Sequence, residues 1–114
     1  MQYEYFYGAQ AEQFSFYRIP KALFTEPNFR ELSTDAKVLY GILLDRMSLS
    51  LKNQWLDAQN KVYIIFTVEE IMDALNCANQ KATRLMVELE KQAGLIERKR
   101  QGLGRPNLIY VKNF

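Results

Sequence analysis

Residues 66 to 71, Phe-Thr-Val-Glu-Glu-Ile, constrain the fold of this chain more tightly than any other stretch. Thr67 stands at an N-cap position with Glu70 three residues on, so each side chain can satisfy an orphan backbone N–H of the other. Phe66 and Ile71 occupy the two positions of a hydrophobic staple, and a helix has to start here. It has to be short, because Val68, Ile71, Met72 and Leu75 are followed by Asn76-Cys77-Ala78-Asn79. Asn76 can end one helix there and Asn79 can cap the next. A second helix is expected from about Gln80 to Ala93, with Ala82, Leu85, Met86 and Leu89 on one face and Gly94 as its stop.

The flanking segments give this helix pair a context. Downstream, Leu95 to Arg100, a Gly/Pro/Asn loop and Leu108 to Lys112 read as a β-hairpin. Upstream, Ser33 can cap a long core helix with Asp35 near its positive end. Its apolar positions Ala36, Leu39, Tyr40, Leu43, Leu44 and Met47 recur at helical spacing, and the helix is expected to reach the low 50s. Between the two lies Val62 to Phe66, a β-forming run after Asn60-Lys61 that can pair with a strand around Trp55. Before them, Lys21 to Phe24 suggests one helical turn, interrupted by Pro27 and Asn28, and the aromatic-rich Tyr3 to Tyr17 suggests an extended arm or strand.

Helix, strand, short helix, tight connection, longer helix, hairpin is the order of a winged helix-turn-helix, an α+β fold. The chain divides into an N-terminal arm over 1–15 and a winged-helix domain over 16–114. With 114 residues, 48% hydrophobic and 25% charged, it can build one core.

Histidine is absent, which removes the commonest general base and the commonest metal ligand, and Cys77 is the only cysteine. The acids Asp35, Asp45, Glu69, Glu70 and Asp73 fall where helix caps and solvated faces want them. We therefore expect no catalytic residues, no metal and no cofactor. No apolar run approaches about 20 residues, and the N-terminus carries acid and amide residues in place of a signal peptide's cations. The expectation is a cytoplasmic protein without a membrane partner.

Charge is distributed unevenly. Residues 1–76 hold seven Lys/Arg and ten Asp/Glu, net −3, whereas residues 77–114 hold eight and three, net +5. A solvated face is the ordinary fate of such charges, but here they fall on the two elements a winged helix lays on DNA. On the second helix of the pair and its cap Asn79, Gln80 and Thr83 can hydrogen-bond bases, Arg84 can grip a guanine in bidentate fashion, and Lys81 can reach a base or a phosphate. In the hairpin, Gly102-Leu103-Gly104 precedes a strand, so a nucleotide-binding loop, which needs a helix next, is excluded. The glycines permit a tight turn, Pro106 stiffens its exit, and Arg105 with Asn107 sits at the tip, where a cation can enter a minor groove. Arg98, Lys99 and Arg100 approach the backbone from the strand.

Three uses remain open for the N-terminal aromatics: core packing, stacking on single-stranded nucleic acid, or an interface. Tyr3, Tyr5, Phe6 and Tyr7 are assigned to self-association, because tyrosine suits interfaces and no cation accompanies the arm before Arg18.

Three stretches, "FYRIPKALF" at 16–24, "LSTDAKVLYGILLDRMSLSLKN" at 32–53 and "LIERKRQGLGRPNLIYV" at 95–111, resemble the N-terminal domain of the plasmid replication initiator A family of low-GC Gram-positive bacteria. The resemblance implies a winged helix that binds repeated double-stranded sites, iterons, at a plasmid origin, as a homodimer or higher oligomer on DNA. It also implies a separate C-terminal domain, resembling helicase-loading proteins, that engages host replication proteins; on that reading this chain is a fragment. A transcriptional repressor on an operator and a protein-binding winged helix are the rival readings.

Overall fold

The computed structural model describes residues 2–8, 13–50 and 52–114. Its elements in chain order are α1 (Ala22–Thr25), a 3₁₀ turn (Pro27–Phe29), α2 (Thr34–Met47), α3 (Val68–Leu75), α4 (Asn79–Val87), a π-helical turn (Glu88–Gln92), β1 (Ile96–Lys99) and β2 (Leu108–Val111). β1 and β2 are antiparallel, with Ile96 opposite Val111 and Lys99 opposite Leu108. Ile64 and Ile109 exchange backbone hydrogen bonds of 2.8 and 2.9 Å, so the segment entering α3 lies along β2 as a third, single-bridge strand. Helix pair, sheet and hairpin together make the expected winged helix.

The core forms where the three helices meet the inner face of this sheet. Leu23, Leu39, Leu43, Ile64, Ile71, Leu85, Leu89, Ile96 and Ile109 are fully buried. Tyr40 spans α2 and the chain end: its hydroxyl donates to the Lys112 carbonyl at 2.8 Å, its ring lies 5.8 Å from that of Phe114, and burial pushes its phenol pKa up.

Local chemistry explains the boundaries. Ser33 caps α2 by accepting from the Ala36 N–H at 3.2 Å. The helix stops at Met47, short of the expected low 50s, because serines take over the backbone groups. Ser48 Oγ donates to the Asp45 carbonyl at 2.6 Å, and the buried Ser50 donates to the Tyr63 carbonyl at 2.8 Å. The pairing expected near Trp55 reduces to one bridge, Leu56 with Val62. Asp57 closes the turn between them by accepting from the Gln59 and Lys61 N–H groups, and it also takes the Tyr110 hydroxyl at 3.1 Å.

The capping box of α3 is present in both directions, and Asn76 ends the helix in the left-handed conformation (φ 54°). Glu70 also reaches beyond its own helix. Its other carboxylate oxygen holds Arg46 of α2 at 2.9 Å, and the guanidinium lies over the rings of Trp55 and Phe66. Asn79 is not the cap of α4. The extended Ala78 takes that position, its carbonyl accepting from the Ala82 N–H, and Asn79 is the first helical residue.

Nor does the last helix run uniformly to Ala93. After Val87 it widens into the π turn, closed by Ala93 N–H to the Glu88 carbonyl at 3.0 Å. Widening admits one extra residue, so Glu88 and Leu89 both face inward. Glu88 there accepts from the backbone N–H and the hydroxyl of Ser33, both at 2.9 Å, and clamps the positive end of α2. The N-terminal segment forms no strand among the described residues, and its Phe6 and Phe14 rings approach to 5.9 Å, closer than an extended chain would allow; Met1 and residues 9–12 of the expected arm lie outside them.

Candidate nucleic-acid interface

α4 divides cleanly. Ala82, Leu85 and Met86 face the core, while Gln80, Thr83, Arg84 and Val87 are exposed and follow the i, i+3, i+4, i+7 spacing that places them on one stripe. Asn79 is exposed at the head of the helix and lies 3.4 Å from the Thr83 hydroxyl. Lys81 falls on the flank, where its ammonium pairs with Asp35 of α2 at 2.7 Å. That pair is half exposed and screened by solvent, so Lys81 remains able to exchange partners.

The wing cations separate by strand face. Arg98 shares the inward-leaning face of β1 with Ile96. Its guanidinium pairs with Glu90 at 2.8 and 2.9 Å while its own N–H donates to the same carboxylate at 3.0 Å. Burial pushes the Glu90 pKa up, but the hydrogen bonds and charge of Arg98 outweigh it and hold the group below the usual range. Arg98 thus fixes the wing base to the end of the last helix. Lys99 points to the other face and is exposed, as are Arg100, Arg105 and Asn107. Among the described residues Arg84, Lys99, Arg100 and Arg105 enter no ion pair.

The loop between the strands is braced. Gly102 and Gly104 adopt φ of 119° and 75°, Arg105 N–H closes the turn on the Gly102 carbonyl at 3.3 Å, and the Gln101 side chain donates to the Pro106 carbonyl at 2.7 Å. Behind the loop an open groove of about 290 Å³ brings Arg105, Pro106 and Asn107 beside Thr67, Val68 and Glu69 at the start of α3. The structure therefore gathers the sequence-assigned residues into a stripe on α4 and a cationic wing, with Lys81 and Arg98 engaged in pairs of their own. Val87 and Leu103 were not assigned. Val87 was legible as the i+7 position of Gln80, and Leu103 as an apolar residue between two turn glycines.

The four aromatics assigned to self-association lie on the surface of the chain: Tyr3, Tyr5, Phe6 and Tyr7 are 58 to 83% exposed. Phe14 contacts Phe6 and Phe16 edge to face at centroid separations of 5.9 and 6.3 Å. The segment leading out of the arm, Arg18–Ile19, crosses α2 at Gly41. A Cβ there would come within 2.8 Å of Ile19 and 2.9 Å of the Arg18 carbonyl, so only glycine admits so close an approach.

A family model of the replication initiator protein A N-terminus matches residues 15–114. A 41 kDa protein of Lactobacillus helveticus is 32% identical over 92 residues, which cover 81% of this chain and 26% of that protein; the chain spans about a quarter of its length. Among solved structures, the N-terminal domain of a DNA-binding protein is similar with a TM-score of 0.80 at 39% identity, covering 98% of this chain and 85% of that one. A Rep–DNA complex matches with a TM-score of 0.80 at 39% identity, over 96% and 84% of the two chains. An MDR initiator matches with 0.77 at 40% identity, over 96% and 86%.

Proposed function

The chain belongs to the replication initiator protein A N-terminal family, and on that premise we propose that it binds double-stranded DNA at repeated sites of a plasmid replication origin. The observation that carries this reading is that Arg84, Lys99, Arg100 and Arg105 are exposed and without ion pairs among the described residues, on the two elements a winged helix presents to a duplex. The stripe of α4 enters the major groove. There Gln80, Thr83 and Arg84 read base edges, Asn79 and Lys81 hold the adjacent backbone, and Val87 meets apolar edges such as a thymine methyl. Lys99, Arg100, Arg105 and Asn107 follow the backbone into the neighbouring minor groove, while Arg98 keeps the wing in place.

On this reading the domain works where plasmid DNA is copied, in the cytoplasm, and needs no catalytic residue of its own. Among the described residues no helix is long and apolar enough to cross a membrane. Repeated sites call for several copies side by side, and the exposed aromatic arm supplies the contact between them. Linking two reading heads makes the second binding event intramolecular, so weak pairing in solution suffices for strong binding to repeats. Host replication proteins are engaged by a further C-terminal domain.

Titration of a labelled duplex selected by this protein from a random-sequence pool tests the reading. Affinity should fall with salt by about 0.9 log units per log unit for each phosphate contacted, and random duplex should compete poorly. A flat salt dependence, or equal affinity for selected and random DNA, refutes it. Removal of residues 2–13 should abolish self-association in sedimentation with the melting temperature retained; unchanged mass removes the arm from the interface.

A further inference from the structure

Leu103 is fully exposed, more so than any other large apolar residue described. A single exposed leucine ordinarily carries no meaning. This one stands at the apex of the hairpin loop, where Asn, Asp or Ser would serve a solubilising turn, and its surroundings are specific. Gly102 and Gly104 on either side have positive φ and no side chains, so nothing shields the leucine or widens the tip. Arg100 and Arg105 bracket it, both exposed and without ion pairs among the described residues. The Gln101 to Pro106 hydrogen bond of 2.7 Å braces the loop beneath it. The result is a narrow, stiff, apolar point between two cations.

Resting on the DNA-binding reading above, we propose that Leu103 is a wedge that enters the minor groove and partly unstacks one base step, kinking the duplex. Apolar side chains used in this way prise open a step and bend the helix by roughly 20 to 90° toward the major groove. The chemistry matches that use. A leucine held in water has most to gain from burial between base faces. Arginines on both sides can grip the backbones flanking a narrow groove, so the unstacked step is held open from two directions. Pyrimidine–purine steps such as TA unstack at least cost, which makes them the expected target. Where Arg105 contributes attraction, Leu103 contributes deformation, and the two are separable.

The test uses a duplex selected by this protein from a random-sequence pool. It carries 2-aminopurine at each TA step in turn and a donor–acceptor pair at its ends. With the unsubstituted protein, 2-aminopurine fluorescence should rise at one step on saturation and the ends should approach. Leu103→Ser should lose both signals while still saturating the duplex, Leu103→Met should restore them, and Arg105→Ala should weaken binding yet keep the fluorescence rise at saturation. Leu103 touches nothing it could destabilise, so melting temperatures should coincide. Binding without any fluorescence rise or bend, or equal signals from Leu103→Ser, overturns the wedge and leaves DNA binding standing. Unchanged DNA signals with weakened self-association in Leu103→Ser would reassign the residue to a protein contact, which also overturns it. Failure of the unsubstituted protein to bind any selected duplex overturns both readings together.

Discussion

Replacing Glu88 by alanine should be among the most damaging single changes in this chain, though Glu88 is remote in sequence from the helix start it holds. Glu88 is 7% exposed, and its carboxylate accepts from the Ser33 N–H and Oγ–H at 2.9 Å each. Charge-assisted bonds of this kind are worth about 1.5–3 kcal/mol each, and the negative charge at the start of α2 adds about 0.3–1 kcal/mol. Part of that gain offsets the cost of burying the carboxylate, which leaves a net loss of about 2–4 kcal/mol for Glu88→Ala. Glu88→Gln keeps one acceptor for the Ser33 N–H, and its amide can donate to the hydroxyl oxygen, so it should cost about half as much. Urea unfolding at neutral pH measures both, with an unchanged slope expected and a melting temperature lower by about 8–15 °C for the alanine variant. A double-mutant cycle with Ser33→Ala should give a coupling of about 1–3 kcal/mol. Glu88→Ala within about 0.5 kcal/mol of the parent, or no coupling to Ser33, would refute the clamp.

Gly41→Ala should destabilise by about 1–3 kcal/mol although alanine favours helices by about 1 kcal/mol, because the new Cβ meets Ile19 and the Arg18 carbonyl at 2.8 and 2.9 Å; a gain in stability would show that Arg18–Ile19 does not seat there. The Lys61 N–H lowers the Asp57 pKa first, with Gln59 and Tyr110 adding, and Arg98 lowers that of Glu90 against the upward push of burial. Both folded-state values lie below the unfolded ones, so their stabilisation is present above the ordinary carboxylate range and lost as pH falls through the folded values. Urea midpoints should drop on acidification, less steeply in Glu90→Gln, and equal slopes would contradict the assignment. On single-base variants of a selected site, Arg84→Ala should cost roughly 1–3 kcal/mol and relax preference at one position, whereas Arg105→Ala should weaken all sequences and lower the salt slope by about one. Unchanged affinity in both would remove these residues from the site.

The parts of the fold that sequence discloses are those fixed by neighbours. The Thr67–Glu70 box, the Asn76 terminus and the apolar face of α4 depend on residues within a turn of one another, and each forms as expected. The misplaced boundaries depend on distant partners. α2 ends at Met47 where Ser48 takes the Asp45 carbonyl and Ser50 donates to the Tyr63 carbonyl, and the π turn exists where Glu88 reaches Ser33, 55 positions away. No local periodicity carries either signal. The candidate site divides in the same way: exposure of Gln80, Thr83, Arg84 and Arg105 follows from helix phase and loop chemistry. The pairing of Lys81 with Asp35 and of Arg98 with Glu90 needed the tertiary contacts.

Whether α4 and the wing form one DNA-reading surface can be read from amide chemical shifts of the ¹⁵N-labelled chain during titration with a selected duplex. The largest changes should fall at residues 79–87 and 99–107, with side-chain signals of Arg84 and Arg105 moving and the outer face of α2 unmoved. Changes confined to the aromatic arm and α2, with α4 and the wing loop silent at saturation, would contradict it.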